Sequence, residues 1–188
     1  MALIKQMTSS GTDDWQTPLW LFRWLNDIFH FTLDAAATPE NALCKKYFTK
    51  EQDALKQSWA GERVFCNPPY SRPNIYRFTE KAFQETIQDC PLAVLLIPNR
   101  TATKAWNDYV FTGAAGILFI SRRLHFSNAE KNAPFGSAVV LFADDHVLLR
   151  LTGLGLCDLK LDFIPGSDIG CDIGFSDLRY EQEYWEGR

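Results

Sequence analysis

A chain of 188 residues with 46% hydrophobic and 22% charged side chains has a globular composition, long enough for one domain and hardly for two, which excludes a disordered polymer. The net charge of -4 argues at first sight against a polyanionic partner. Yet Pro165 to Arg188 holds six acids against two bases, so this acidic tail carries the whole excess and the remaining chain is neutral.

No stretch approaches the roughly 18 apolar residues of a membrane span, and the first residues, Met1 to Trp15, show no apolar core of a signal peptide. The five cysteines (Cys44, Cys66, Cys90, Cys157, Cys171) form no CxxC pair. They read as free thiols in a reducing cytoplasm, and no metal site is expected.

Residues 1–14 are polar, and 1–12 are expected to be a flexible N-terminus ahead of one catalytic domain over 13–164. Pro18 opens a helical pattern through Leu21, Phe22, Leu25, Ile28 and Phe29, with Thr17 as a candidate cap. Phe31 to Leu33 reads as a short strand ending at Asp34-Ala35-Ala36-Ala37, and Arg63 to Cys66 as a second, stopped by Asn67-Pro68-Pro69. Helical spacing returns over residues 75–88. The continuous apolar run Leu92 to Ile97 reads as a strand buried on both faces. A short helix near 102–111 and strands at Gly116–Ile120 and Ser137–Ala143 follow. Residues Val147 to Phe163 are expected to add an edge hairpin, and 165–188 form the acidic tail. Strands alternating with helices give an α/β fold with an abbreviated, mostly parallel sheet and an antiparallel edge. Lone His30 and His146 read as structural, and Trp59 as core.

The sharpest chemical signal is Asn67-Pro68-Pro69-Tyr70, directly after a predicted strand. Two prolines stiffen the turn and remove two N–H donors, so the turn presents acceptors without competing donors. The Asn67 side-chain carbonyl and the Pro68 backbone carbonyl suit an NH₂ group, which has two hydrogens to give. Tyr70 offers a flat face on which a planar base can stack. Holding both hydrogens of a conjugated amine draws its nitrogen toward tetrahedral geometry and frees its lone pair for a positioned electrophile. Neither a metal nor a covalent nucleophile is required.

Cofactor candidates follow from the rule that ligands in open α/β sheets sit at the carboxyl ends of strands. Asp34 ends the first strand, where its carboxylate can meet an ammonium or ribose hydroxyls, and Ala35-Ala36 are small enough for close approach. No G-x-G-x-x-G follows that strand, so a dinucleotide site has little support. Bases concentrate after the Leu92 to Ile97 strand. Arg100, Lys104, Arg122 and Arg123 there are candidate phosphate contacts, with His125 and Lys131 nearby.

The chain resembles the phage-type (Dam-like) DNA N-6-adenine-methyltransferases over roughly residues 13–143. The resemblance rests on Asp14-Trp15-Gln16-Thr17-Pro18, Thr32-Leu33-Asp34-Ala35-Ala36-Ala37, Pro39-Glu40-Asn41-Ala42, Asp53-Ala54-Leu55 and Trp59. It continues through Cys66-Asn67-Pro68-Pro69-Tyr70-Ser71, Arg123-Leu124-His125-Phe126 and Pro134-Phe135-Gly136-Ser137. It implies a single-domain, Rossmann-like S-adenosylmethionine-dependent methyltransferase fold, with S-adenosylmethionine as donor and adenine in double-stranded DNA as acceptor. It further implies that Thr17 and Pro18 line the methionine end of the donor, that Asn67 contacts the donor as well as the amine, and that Asp53 accepts from the donor's adenine amine. Only 32 residues separate Asp34 from Asn67, which shortens the sheet there and leaves Glu40 a rival to Asp53. The adenine amine is paired in the duplex, so the base must be flipped out. Shielding phage DNA from restriction is the purpose expected of this family.

Two other readings stay open from the residues alone. One is methylation of another conjugated amine, such as a protein glutamine amide or an RNA base. The other is an inert DNA-binding module that keeps the fold. The family usually acting on glutamine shows a glycine-rich donor loop and an N-terminal helical domain, and neither is seen here.

Overall fold

The computed structural model describes residues 15–144, Val147 and the backbone of Asp162–Ile164. The segment 1–12, His146, most of the expected 147–163 hairpin and the acidic tail 165–188 lie outside the described residues.

Helix α1 (Leu19–Phe29) begins one residue after Pro18. Proline at φ -60° sets the entry, and its carbonyl accepts from the Leu21 and Phe22 amides. Thr17 makes no side-chain cap bond here, since the capping position falls on Pro18. The three-and-four spacing buries Leu21, Phe22, Leu25 and Phe29 on one stripe. His30 ends the helix in the left-handed region at φ 51°.

The sheet follows in strands β1 (Leu33–Asp34), β2 (Lys46–Tyr47), β3 (Arg63–Cys66), β4 (Leu92–Pro98), β5 (Gly116–Ile120), β6 (Ser137–Ala143) and β7 (Asp162–Ile164). Their order across the sheet is β2-β1-β3-β4-β6-β5-β7. Strands β2, β1, β3 and β4 run parallel; β6 is antiparallel to both β4 and β5, and β7 is parallel to β5. The fold is therefore α/β on a mixed sheet.

The expected antiparallel edge is corrected: the antiparallel strand β6 sits inside the sheet, and the edge strand β7 pairs parallel with β5. The cause is burial. Six consecutive residues of β6, Ser137 to Phe142, are buried, and only an interior strand covered on both faces asks for that.

Helix α2 (Arg72–Gln88) starts three residues before the periodic stretch 75–88, because Pro73 fits its first turn without an amide. The expected helix near 102–111 is a π-helical turn, Trp106–Val110, running into one α-turn, α3 (Phe111–Gly113). Trp106 is fully buried and its Nε1 donates to the Pro98 carbonyl at 3.1 Å, tying this segment to the end of β4. Two layers of core follow from the alternation along β4. Leu92, Val94 and Leu96 pack with Leu21, Leu25 and Phe29 of α1, while Ala93, Leu95 and Ile97 pack with Phe78 and Ala82 of α2 and with Trp106.

Leu95 is fully buried at the centre of that second layer. Leu95→Ala should lower unfolding free energy by about 2–5 kcal/mol, read from urea titration. A loss near zero would mean that the two-sided burial of β4 is wrong.

Candidate active site

Because β1, β3, β4 and β5 point the same way, their carboxyl ends share one edge of the sheet. Asp34 ends β1, Asn67 follows β3, Arg100 follows β4, and Arg122 and Arg123 follow β5. At the β1 and β3 end lies a cavity of about 790 Å³, within the usual range for small-molecule sites. Thr17, Asp34, Ala35, Ala36, Asp53, Asn67 and Pro69 all line it, as do Glu40, Asn74 and Arg77. Pro18 is buried as the helix cap and Pro68 is buried in the turn; neither is among the lining residues.

Asp34 is 3% exposed. One carboxylate oxygen accepts from the Ala36 amide at 3.3 Å and the other from the Leu43 amide at 3.1 Å. Burial pushes its pKa above the ordinary value, and the two amide bonds pull only part of the way back. The carboxylate is thus held in a fixed orientation by backbone, with lone pairs left for a ligand.

Asp53 stands opposite in character. It adopts φ 53°, ion-pairs with Lys56 at 3.0 Å and accepts from the Leu55 amide at 3.3 Å. The hydrogen bond from Lys56 is the main reason its pKa lies below the ordinary value. Glu40 is exposed, and the Thr38 hydroxyl lowers its pKa.

Asn67 is the centre of the site. Its Nδ2 donates to the Trp15 backbone carbonyl and, at 2.9 Å, to the Thr17 hydroxyl oxygen. Its Oδ1 is buried and has no partner among the described residues. A backbone carbonyl can only accept, so the polarity of the amide is fixed: NH₂ toward Trp15, C=O left bare. A buried, unpaired acceptor costs about 1–3 kcal/mol, and such an atom calls for an explanation. The Trp15 Nε1 is a second buried atom without a partner.

Tyr70 lies deeper than a stacking platform requires. It is 5% exposed, its hydroxyl donates to the Leu96 carbonyl at 3.2 Å, and Phe126 and Phe135 meet its ring edge-on at 6.0 and 5.5 Å. Burial raises its phenol pKa well above the ordinary value. Trp15 continues this aromatic cluster, 5.0 Å from Phe126 and 5.3 Å from Phe135, and the Arg100 guanidinium lies 5.7 Å from the Phe135 ring centre. Arg100, Lys104, Arg122 and Arg123 are all exposed.

Sequence reasoning missed the link from Asn67 to Trp15 and Thr17, and missed Asn74, Arg77 and Ser127 in the cavity wall. The helical spacing of α2 held a signal for two of them, since Asn74 and Arg77 lie three apart, one turn on a helix. Among the described residues, no group of three or more His, Cys, Asp or Glu is placed to hold a metal, and no helix is long and apolar enough to cross a membrane.

The strand ends thus bring a buried carboxylate and an amide with an unpaired oxygen to the wall of one cavity. Comparison with known proteins gives the class. A family model described as DNA N-6-adenine-methyltransferase (Dam) matches residues 5–143. The DNA N-6-adenine-methyltransferase of Haemophilus phage HP1 (strain HP1c1) is 33% identical over 132 residues, covering 66% of this chain and 75% of that protein. That of Escherichia phage T1 is 36% identical over 114 residues, covering 60% of this chain and 46% of that protein. The chain belongs to the DNA N-6-adenine-methyltransferase (Dam) family, and its activity class is adenine-specific DNA methylation.

The buried Asp34 has a measurable signature. A carboxyl whose folded pKa lies above its unfolded value of about 3.9 binds its proton more tightly in the native state. Its contribution to stability is therefore fully present below about pH 3.9 and is lost as pH rises through the folded value. Relative to Asp34→Asn, which does not titrate, wild type should lose stability as pH rises across that window, measured by urea midpoints. A difference that grows in favour of wild type would reverse the sign and contradict the burial argument.

Proposed function

We propose that this protein transfers the methyl group of S-adenosylmethionine to the N6 amine of an adenine flipped out of double-stranded DNA, with Asn67 holding the amine. The single observation that carries the reading is the bare, buried Oδ1 of Asn67 at the wall of the cavity. Its lone pairs suit an N6–H donor, and the Pro68 carbonyl one residue on is the proposed second acceptor. Accepting from both hydrogens withdraws the lone pair from conjugation and turns it toward the electrophile. Once the new N–C bond has formed and S-adenosylhomocysteine has left, one of the two N6 protons is released to water and the other stays on the methylated amine.

The residues present fit the donor. S-adenosylmethionine supplies an activated methyl on a sulfonium, so no metal or covalent intermediate on the protein is needed. Asp34, held by two backbone amides, is the proposed acceptor for the donor's ammonium or ribose hydroxyls. Ala35 and Ala36 leave room for close approach at the same strand end, and Thr17 and Pro18 form the proposed methionine end. Asp53, on the cavity wall, is the proposed acceptor for the donor's adenine amine, with Glu40 as the rival acid. The antiparallel β6 between parallel β4 and β5 supports the finer assignment to a Rossmann-like methyltransferase sheet, and one catalytic domain over 13–164 is proposed with it.

DNA fits the same edge. The exposed Arg100, Lys104, Arg122 and Arg123 follow β4 and β5, whose carboxyl ends lie on the same sheet edge as Asn67, and are the proposed phosphate contacts. Extruding the base costs a few kcal/mol. Stacking on Tyr70 offsets part of that only if the partly buried Phe135 swings aside, because in this state little of the Tyr70 ring is open. Location in the cytoplasm of a bacterial host follows from a DNA substrate of phage type.

Transfer of labelled methyl to unmethylated duplex DNA tests the reading. Wild type should label adenine at N6. Asn67→Ala should lose at least about 10³-fold in turnover, in line with removal of a group that stabilises charge in the transition state, while binding S-adenosylmethionine as before. Wild-type turnover by Asn67→Ala would refute the amine-holding mechanism.

A further inference from the structure

Resting on the reading above, we propose that Thr17 is a positioning residue that, with the Trp15 carbonyl, clamps the Asn67 amide in the one orientation able to accept from an amine. The site thereby distinguishes an amino group from a carbonyl at the reacting position of the base.

The need for a clamp is chemical. The two ends of a side-chain amide have nearly the same shape, so Asn67 rotated by half a turn would fill the same space with NH₂ facing the base. That rotamer sets donor against donor for adenine and would instead suit the ring carbonyl of a 6-oxopurine. Both amide hydrogens of Asn67 are used, one by the Trp15 carbonyl and one by the Thr17 hydroxyl oxygen at 2.9 Å. With both engaged, Oδ1 is the amide's remaining polar atom; among the described residues it has no partner, and Asn67 lines the cavity.

The clamp is itself braced. The Ser127 amide donates to the Gln16 carbonyl at 2.9 Å, and the Ser127 hydroxyl donates to the Thr17 carbonyl at 3.1 Å. The Gln16 amide donates to Asn128 Oδ1 at 3.0 Å. Segment 15–17 is thus pinned between the turn after β3 and the connection between β5 and β6. Thr17 is 9% exposed, so its hydroxyl sits where water competes little for Asn67.

The Trp15 carbonyl is backbone and resists substitution, which makes Thr17 the testable half. Thr17→Val keeps the shape and removes the acceptor; Thr17→Ser restores the acceptor; Thr17→Ala removes it with no demand on space. Each is assayed for turnover, for KM with duplex DNA and for S-adenosylmethionine affinity. A second readout needs no turnover: affinity, in the presence of S-adenosylhomocysteine, for duplexes carrying adenine or hypoxanthine at the target position.

At saturating S-adenosylmethionine, Thr17→Val and Thr17→Ala should lower kcat roughly 10-fold, the worth of one neutral hydrogen bond at its upper end, beyond any change in donor affinity that comes from the place of Thr17 at the proposed methionine end. They should also narrow the preference for adenine over hypoxanthine. Thr17→Ser should recover both. Unchanged kcat and unchanged base preference in Thr17→Ala would overturn the proposal. So would a loss confined to S-adenosylmethionine affinity, which would assign the hydroxyl to the donor. A wild type that binds DNA but transfers nothing would refute the methyl-transfer reading instead, while the base-preference arm would still report on the clamp.

Discussion

The Asn67 amide is tied to a segment 50 residues earlier in the chain, through the Thr17 hydroxyl and the Trp15 carbonyl, and the organisation of the site depends on that tie. It joins the turn after β3 to the strand-like approach of α1, so the helix and the sheet edge are set relative to each other at the reacting point. It also fixes which end of the amide is exposed. A stiff Pro-Pro turn alone fixes where Asn67 sits but not which way its amide faces. Polarity comes from the carbonyl of Trp15, and Ser127 and Asn128 hold that carbonyl's segment from the far side.

The sheet supplies the rest by direction. Four strands running the same way bring Asp34, Asn67, Arg100 and Arg122 to one edge although they are far apart in the chain. The carboxylate and the amide have opposite problems there. Asp34 is paired to backbone amides yet raised in pKa by burial, whereas Asn67 is neutral and left with an acceptor unpaired. Both states carry a cost in the free protein, and a ligand that donates hydrogens relieves both. This is the physical sense in which the cavity suits the donor-rich, nucleoside-sized partner proposed for it.

Much of this was legible in the residues. The run Leu92 to Ile97 can be buried on both faces only in a central strand, and Arg63 to Cys66 and Gly116 to Ile120 fall where the pattern puts them. Asn67-Pro68-Pro69-Tyr70 and Asp34 were readable because each sits at a predicted strand end. Strand β2 was not readable, since two residues carry no periodicity. The interior position of β6 was missed although Ser137 to Phe142 had the same two-sided apolar character as β4; the pattern tells burial, and pairing partners come from tertiary context. The clamp was beyond reach of pattern altogether. Thr17 before Pro18 looks like a helix cap, and nothing local says that its hydroxyl is spent on Asn67 instead. An aromatic after Pro-Pro offers a flat face, so the local pattern suggests a platform at Tyr70; its burial under Phe126 and Phe135 comes from segments more than fifty residues later.

The most direct test of the account is the hydrogen exchange of the Asn67 side-chain NH₂ in the free protein, followed by ¹⁵N NMR and assigned by its disappearance in Asn67→Ala. If both hydrogens are engaged by Trp15 and Thr17, the pair should exchange far more slowly than the amides of exposed residues such as Asn132 and Gln52. Exchange at the rate of those exposed amides would mean that the amide turns freely, and the fixed acceptor on which the site depends would not exist.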